Sequence, residues 1–122
     1  MKEPIGVAAC IIPFNFPIYT LMRKLAPALI TGNTVVVKVS NSTPASSMVL
    51  AECFKEAGFP DFVVNIMTMD IPTTKIICEH EAVGIISLTG SVNVGRAMLE
   101  YSKANMAKVS LELGGKTPVI VA

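Results

Sequence analysis

Short apolar segments rich in β-branched residues alternate with longer helix-like segments along this 122-residue chain. Such apolar runs are typical of strands that are covered on both faces of a parallel sheet. Because four helix-like segments separate the first five runs from one another, the sequence predicts an α/β fold in which helices cover both faces of a parallel sheet. The predicted strands are Ile5–Ile12, Thr34–Lys38, Phe62–Met67, Val83–Leu88, Lys108–Leu113 and Val119–Ala122.

Four helices are predicted between these strands, and capping residues mark their ends. Pro27 lies inside the first helix and should kink it, because a proline ring removes an amide donor and crowds the preceding turn. Gly32 and Asn33 follow that helix as a left-handed cap would. The first predicted helix begins after Pro17. The second begins after an N-cap at Thr43 and ends at Gly58. The third spans Pro72–His80, and the fourth runs from Ser91 to about Asn105.

The composition predicts a single domain and excludes several function classes. The chain is 52% hydrophobic and 16% charged, with a net charge of +1. Disordered segments need low hydrophobicity and high net charge, so the chain is not a disordered tail. Nucleic-acid binding is not expected without a basic surplus, and no apolar stretch approaches the length of a membrane span. Because the charged fraction is low, we expect other protein to cover part of the apolar surface.

The cysteines predict neither a disulfide framework nor a metal site. Cys10, Cys53 and Cys78 are widely spaced, odd in number and form no CxxC pair. This usage is typical of a reducing compartment, so a cytoplasmic location without a targeting segment is expected. Cys10 lies in the first strand, Cys53 on the predicted apolar stripe of the second helix, and Cys78 in the third. All three are predicted to be buried, unreactive thiols. Met67 and Met69 are predicted to fill the core.

Polar residues follow several of the predicted strands. In an open parallel sheet, ligands bind beyond the carboxyl ends of the strands. Asn15, Lys38 and Glu112 follow or end three strands, and Gly90-Ser91 begins a helix whose free amides suit a phosphate. These groups are therefore expected to converge on one edge of the sheet. Residue types and spacing alone predict a nucleotide-type fold with an anion site.

Five motifs in this order resemble the NAD(P)-dependent aldehyde dehydrogenase superfamily, and the resemblance covers nearly the whole chain. It implies that residues 1–122 are a partial nucleotide-binding domain, with a Rossmann-like parallel sheet that is incomplete relative to the family. The motifs are Pro13-Phe14-Asn15-Phe16-Pro17, Lys24-Leu25-Ala26-Pro27-Ala28-Leu29, Gly32-Asn33-Thr34-Val35-Val36-Val37-Lys38, Thr89-Gly90-Ser91 with Gly95, and Leu111-Glu112-Leu113-Gly114-Gly115-Lys116.

The resemblance implies catalytic roles for three residues. Asn15 matches the amide that holds the oxyanion of a tetrahedral intermediate, where a neutral donor suits developing negative charge. Glu112 matches the general base that activates water, and Lys24 matches the lysine behind that base in a proton relay. Without the motifs, the residue types favour a turn residue for Asn15 and a solvated helix lysine for Lys24. Glu112 is a carboxylate in an otherwise apolar strand end, where burial would raise its pKa toward that of a useful base.

The resemblance also implies NAD or NADP as the cofactor. Lys38 matches a residue that holds the adenosine ribose, and Asn41 stands where many members place a ribose-binding glutamate. Met69, Val92 and Asn93 replace other family residues near the cofactor. Together, the matched cofactor residues are Ile12, Phe14, Lys38, Asn41, Gly90 and Ser91.

In the family, the nucleophile is a cysteine in a downstream segment, and none of the three cysteines here lies in such a context. The chain is therefore expected to be inactive alone. It would act on a small-molecule aldehyde only when completed, and it would self-associate or pair with a partner chain. Two alternatives stay open: a non-catalytic remnant or interaction module that retains the fold, and a phosphate-binding module unrelated to dehydrogenases.

Overall fold

A computed structural model describes residues 3–121 and contains nine alternating strands and helices. Predicted and observed elements agree in order and type through the fifth strand. The ends differ by a few residues, because frayed or curved ends do not keep the ladder or helix hydrogen bonds. The elements are β1 Val7–Ile11, α1 Pro17–Ile30, β2 Thr34–Lys38, α2 Pro44–Glu56, β3 Val64–Met67, α3 Ile71–Glu79, β4 Val83–Gly90, α4 Val92–Ser102 and β5 Lys108–Leu113.

All five strands form one parallel sheet in the order β3-β2-β1-β4-β5. The chain builds outward from β1 through β2 to β3, then crosses back to place β4 on the other side of β1. Between β1 and β4 the strand order therefore reverses, which is where doubly wound sheets open a crevice for ligands. At the carboxyl end of β1, Ile11 pairs with Lys38 on one side and with Leu88 on the other.

The helices cover both faces of the sheet, as the sequence predicts. Helices α1 and α2 pack on one face, where Leu21 and Leu25 are fully buried against alternate residues of β1 and β2. Helices α3 and α4 pack on the other face, where Cys78 and Met98 meet β1 and β4. The alternation along β1 sends Cys10 to the first core and Ile11 to the second. The fold is thus an α/β, Rossmann-like parallel sheet.

Helix ends follow the predicted signals with one exception. Helix α1 continues past Pro27 to Ile30, and Gly32 follows with a φ of 81°, in the left-handed region that glycine favours. Thr43 occupies the N-cap of α2, but its side chain makes no capping hydrogen bond. Asp70 caps α3, because its Oδ1 accepts from the Thr73 backbone N–H at 2.9 Å.

Three sequence predictions, two about buried side chains and one about a strand, are wrong. Cys53 is exposed, because the side of α2 that packs on the sheet carries Ser47, Leu50 and Phe54 instead. Met67 is 37% exposed at the end of the edge strand β3, whereas Met69 is buried as predicted. The predicted last strand does not form over residues 119–121, which are exposed and have no neighbouring strand within residues 3–121; Ala122 lies outside the described residues.

Across the described helices, none is long and apolar enough to cross a membrane. Residues 3–121 also contain no cluster of three or more histidine, cysteine or acidic side chains that could hold a metal ion.

Candidate functional site

An open groove of about 590 Å³ lies between α1 and the strands β4 and β5. It forms because α1 covers β1 and β2 but leaves the outer strands of the same face uncovered. Alternate side chains of β4 and β5 therefore point into it, and polar groups dominate at the carboxyl end. The lining includes Lys24, Ser87, Thr89, Ser110 and Glu112. We call this the α1 groove.

Lys24 reaches into the α1 groove from helix α1. Its half-buried side chain donates a hydrogen bond from Nζ to Ser87 Oγ on β4 at 2.9 Å. Burial lowers the pKa of Lys24 from its ordinary 10.5, because desolvation penalises the ammonium; the nearby Cys10 and Glu112 act in the opposite direction. An amine with this shift releases its proton more readily than a solvated lysine. The alternative of a solvated helix lysine is therefore wrong for Lys24.

Glu112 lies at the end of β5, directly across the ladder from Thr89. Its side chain is exposed, so the burial that would raise the pKa of this carboxyl is absent. The reason is that β5 is an edge strand, and neither α1 nor α2 extends over it on this face. Glu112 and Lys24 nevertheless line the same groove, where the carboxylate is close enough to favour the charged form of the lysine. Because the carboxylate is open to water, it can accept a proton from a water molecule.

Asn15 lies in the loop between β1 and α1, at the carboxyl edge of the sheet. Its side chain is exposed and makes no hydrogen bond to other described residues, so it does not serve the local backbone as a turn asparagine would. Phe14 is 63% exposed in the same loop. Ile12 is buried, and its backbone N–H donates to the Lys38 carbonyl at 2.9 Å.

A second cleft, of about 310 Å³, opens on the opposite face between α3 and α4. Its lining is mostly apolar, with Lys38 at the carboxyl end of β2 and Asn93 at the start of α4. Helix α4 begins directly after β4: Ser91 is its N-cap, and the hydroxyl oxygen accepts from the Val94 backbone N–H at 3.3 Å. The first amides of a helix have no intrahelical partner, so this end can bind an anion. We call this the α4 cleft.

The structure separates the predicted site residues into two groups. Lys24 and Glu112 face the α1 groove, whereas Lys38 and the start of α4 face the α4 cleft. The predicted convergence on one edge of the sheet does not specify a face, and the groups divide between two faces because alternate residues of a strand point to opposite sides. Asn41 is exposed in the turn between β2 and α2 and lines neither.

Sequence reasoning missed Ser87, which holds Lys24. Its signal is a hydroxyl inside the apolar segment Ile85-Ile86-Ser87-Leu88, where a polar residue needs a partner once it is covered. Cys10 also lines the α1 groove, but it is 1% exposed, and burial raises the pKa of its thiol to about 11. The predicted burial is thus confirmed for Cys10, and likewise for Cys78, the pKa of which burial also raises to about 11.

The sequence model of the aldehyde dehydrogenase family matches residues 1–122. The chain belongs to the aldehyde dehydrogenase family. It is 45% identical to D-glyceraldehyde dehydrogenase (NADP(+)) of Picrophilus torridus, over 98% of this chain and 24% of the relative. Retinaldehyde dehydrogenase 3 of Mus musculus is 49% identical over the same share of each chain. This membership excludes the alternative of a phosphate-binding module unrelated to dehydrogenases.

Solved aldehyde dehydrogenase-like structures share this fold. PnpE in complex with nicotinamide adenine dinucleotide superposes with a TM-score of 0.91 at 44% identity, over 95% of this chain and 24% of that chain. Betaine aldehyde dehydrogenase from Staphylococcus aureus, in complex with NAD+, superposes with a TM-score of 0.89 at 33% identity, over 93% and 23%. The chain therefore spans about a quarter of the length of the aldehyde dehydrogenases that it matches.

Proposed function

We propose that this chain supplies the general base, the oxyanion donor and part of the cofactor site of an enzyme that oxidises an aldehyde to a carboxylic acid with NAD(P)+. The observation that carries the proposal is the shared α1 groove, which is lined by both Glu112 and the half-buried Lys24. Asn15, with its free amide, stands at the carboxyl edge of the sheet.

Glu112 acts as the general base in this proposal. Its exposed carboxylate takes a proton from a water molecule, which then attacks the acyl carbon of the thioester formed on the family's downstream cysteine; the C–S bond breaks, the carboxylic acid is released and the cysteine leaves as the thiolate. Lys24 receives or returns that proton from inside the groove, because burial already weakens its hold on the ammonium proton. A carboxylate open to water and an amine of lowered pKa, on the same face of the sheet, form the two ends of a proton relay.

Asn15 acts as the oxyanion donor. An amide N–H carries no charge, so it stabilises negative charge that develops on a carbonyl oxygen without binding the neutral substrate too tightly. Its side chain has no competing partner within residues 3–121, which leaves both amide hydrogens available. The short loop between β1 and α1, with prolines at both ends, limits the positions that the amide can take.

The α4 cleft has the chemistry of a dinucleotide site. Its apolar walls, including Ile71, Val94 and Met98, suit a flat base, and the first turn of α4 presents backbone N–H groups that suit a pyrophosphate. Lys38 offers an ammonium for ribose hydroxyls at the mouth. The bound dinucleotide supplies hydride acceptance. PnpE holds nicotinamide adenine dinucleotide on the same fold, and one relative is named for NADP(+), so we include both cofactors.

A second candidate is a non-catalytic module that keeps the fold and binds other protein. It is favoured by exposed apolar side chains that a lone domain would bury, among them Phe16, Phe62, Ile30 and Ile120. The same surface supports the proposal that the chain self-associates or pairs with a partner. Both candidates predict association, so catalysis must distinguish them.

A chimeric enzyme tests the proposed function. Residues 3–121 replace the matching segment of the Picrophilus torridus relative, and aldehyde oxidation is followed by dinucleotide reduction. We expect turnover, with kcat reduced about 10²–10³-fold by Asn15→Ala and at least about 10²-fold by Glu112→Gln. Glu100→Gln, on the exposed side of α4, is the matched control and should leave kcat unchanged. A folded chimera that lacks turnover, or whose kcat survives Glu112→Gln, would favour the non-catalytic module.

A further inference from the structure

Ser87 is the one group on β4 that fixes the end of the Lys24 side chain. In the parallel ladder, Ser87 pairs with Cys10 on β1 and with Ser110 on β5, so it lies at the centre of the floor of the α1 groove. Its hydroxyl oxygen accepts from Lys24 Nζ at 2.9 Å, which joins residues that are 63 positions apart in the sequence. A lysine has four rotatable bonds, and this contact removes much of that freedom.

The surroundings of Lys24 leave Ser87 as its specific partner. Cys10 on β1 faces the ammonium as a protonated thiol, Glu112 on β5 exerts a longer-range attraction, and Arg23 on α1 repels it. Within residues 3–121, no carboxylate lies at ion-pair distance from Lys24 Nζ. The half-buried ammonium is thus held by a neutral hydroxyl and stays apart from the carboxylate that would otherwise neutralise it.

We propose that Ser87 is a positioning residue, which holds the Lys24 ammonium at the floor of the α1 groove and supports its charged form there. This rests on the proposed role of Lys24 in the proton relay. A relay lysine that formed a close ion pair with the base would weaken that base, because a neighbouring cation stabilises a carboxylate. A hydroxyl holds the amine without that penalty, since it carries no charge.

Site-resolved titration of the 122-residue chain tests the proposal. The protein carries ¹³C-labelled lysine, the Lys24 signal is assigned by its loss in Lys24→Arg, and its pKa is measured by NMR. In Ser87→Ala the pKa of Lys24 should fall further, by about half to one pH unit, because the ammonium loses a hydrogen-bond acceptor in a desolvated site. Ser87→Thr keeps the hydroxyl and should restore the original pKa. Ser110→Ala removes the neighbouring hydroxyl and should leave the pKa unchanged.

A Lys24 pKa that is the same in Ser87→Ala and in the unchanged chain would overturn the proposal, as would an equal shift in Ser110→Ala. The other lysine signals report on folding, since a global change would move them together. The titration does not depend on turnover. An inactive chimera therefore leaves the Ser87 inference standing, and an unchanged Lys24 pKa leaves the proposed function standing.

Discussion

The side-chain oxygen of Asn33 accepts hydrogen bonds from the backbone N–H groups of both Ile5 and Gly6, at 2.6 and 3.0 Å. Its side-chain nitrogen donates to the Ala28 carbonyl at 3.0 Å, near the end of α1. One buried amide thus joins the entry to β1 with the exit from α1. These two elements carry Asn15 in the loop between them and Lys24 in the helix, so Asn33 fixes the frame of the candidate site.

Asn33→Ala should destabilise the chain by about 2 kcal/mol or more, because the partly buried N–H groups of Ile5 and Gly6 lose their acceptor. Urea denaturation gives the free energy of unfolding. Asn41→Ala is the matched control: Asn41 is exposed and its side chain has no hydrogen bond to other described residues, so its removal should change the free energy by less than about 0.5 kcal/mol. Equal losses in the two variants would contradict this assignment for Asn33.

The order of elements is predictable because it depends on local signals. Val35 and Val37 alternate with half-buried residues along β2, and Pro44 and Gly58 mark where α2 begins and where the chain turns after it. Whether a strand forms and is covered on both faces, in contrast, depends on the strands and helices that lie next to it in the fold. Residues 119–121 have the composition of a strand, but no strand pairs with them in the part of the chain that the structure describes.

The candidate site is only partly predictable for the same reason. The strand-end rule places Asn15, Lys38 and Glu112 at one edge of the sheet, which is correct. It does not say which face each side chain takes, and the hydrogen bond between Lys24 and Ser87 joins distant segments that no local pattern links. Glu112 is exposed although it ends an apolar strand, because β5 is an edge strand.

Stability should depend on acidic pH through the cap of α3. The Thr73 side chain and backbone N–H donate to Asp70 and hold the pKa of that carboxyl below its ordinary 3.8. Because the folded state favours the carboxylate, Asp70 stabilises the folded state above pH 3.8. This stabilisation is lost as the pH falls through the pKa of Asp70 in the folded state. Thermal unfolding of Asp70→Ala should therefore show a lower Tm than the unchanged chain at pH 6, and the gap should shrink below pH 3.8.

Asp61→Ala is the control for this pH dependence. Asp61 is exposed and does not cap a helix, so its Tm difference from the unchanged chain should be small at every pH. A gap for Asp70→Ala that stays constant between pH 6 and strongly acidic pH would mean that the charge of the cap contributes nothing.

The 122-residue chain alone should show no aldehyde dehydrogenase turnover. Cys10 and Cys78 are buried thiols whose pKa values burial raises to about 11, and Cys53 lies on α2 and lines neither the α1 groove nor the α4 cleft. Without a thiolate in the site, no covalent intermediate forms. An assay with a panel of small aldehydes and both cofactors measures this. Turnover that co-purifies with the chain and disappears in Glu112→Ala would prove the prediction wrong.

Asn41 should weaken discrimination against NADP+. A glutamate at this position would repel a 2′-phosphate, whereas the neutral amide does not, and Lys38 offers a nearby cation. We expect the chain to bind NADP+ at least as well as NAD+, as measured by titration calorimetry. Asn41→Glu should reduce NADP+ affinity by roughly tenfold, equivalent to about 1.4 kcal/mol. Strong preference of the unchanged chain for NAD+, or a glutamate variant with unaltered NADP+ affinity, would contradict this role.

Mapping of dinucleotide binding by ¹H–¹⁵N NMR tests the central claim most directly, because it needs neither turnover nor further chain. Addition of NAD+ or NADP+ should shift the backbone amides of Gly90, Ser91 and Val92 at the start of α4. Lys38→Ala should weaken that binding by about tenfold, since a charge-assisted hydrogen bond is lost. Lys55→Ala, an exposed lysine on α2, should leave it unchanged. The claim is contradicted if millimolar dinucleotide does not shift the backbone amide signals at the start of α4, or if Lys38→Ala and Lys55→Ala bind the dinucleotide with equal affinity. The chain is then not the cofactor-binding part of an aldehyde dehydrogenase active site.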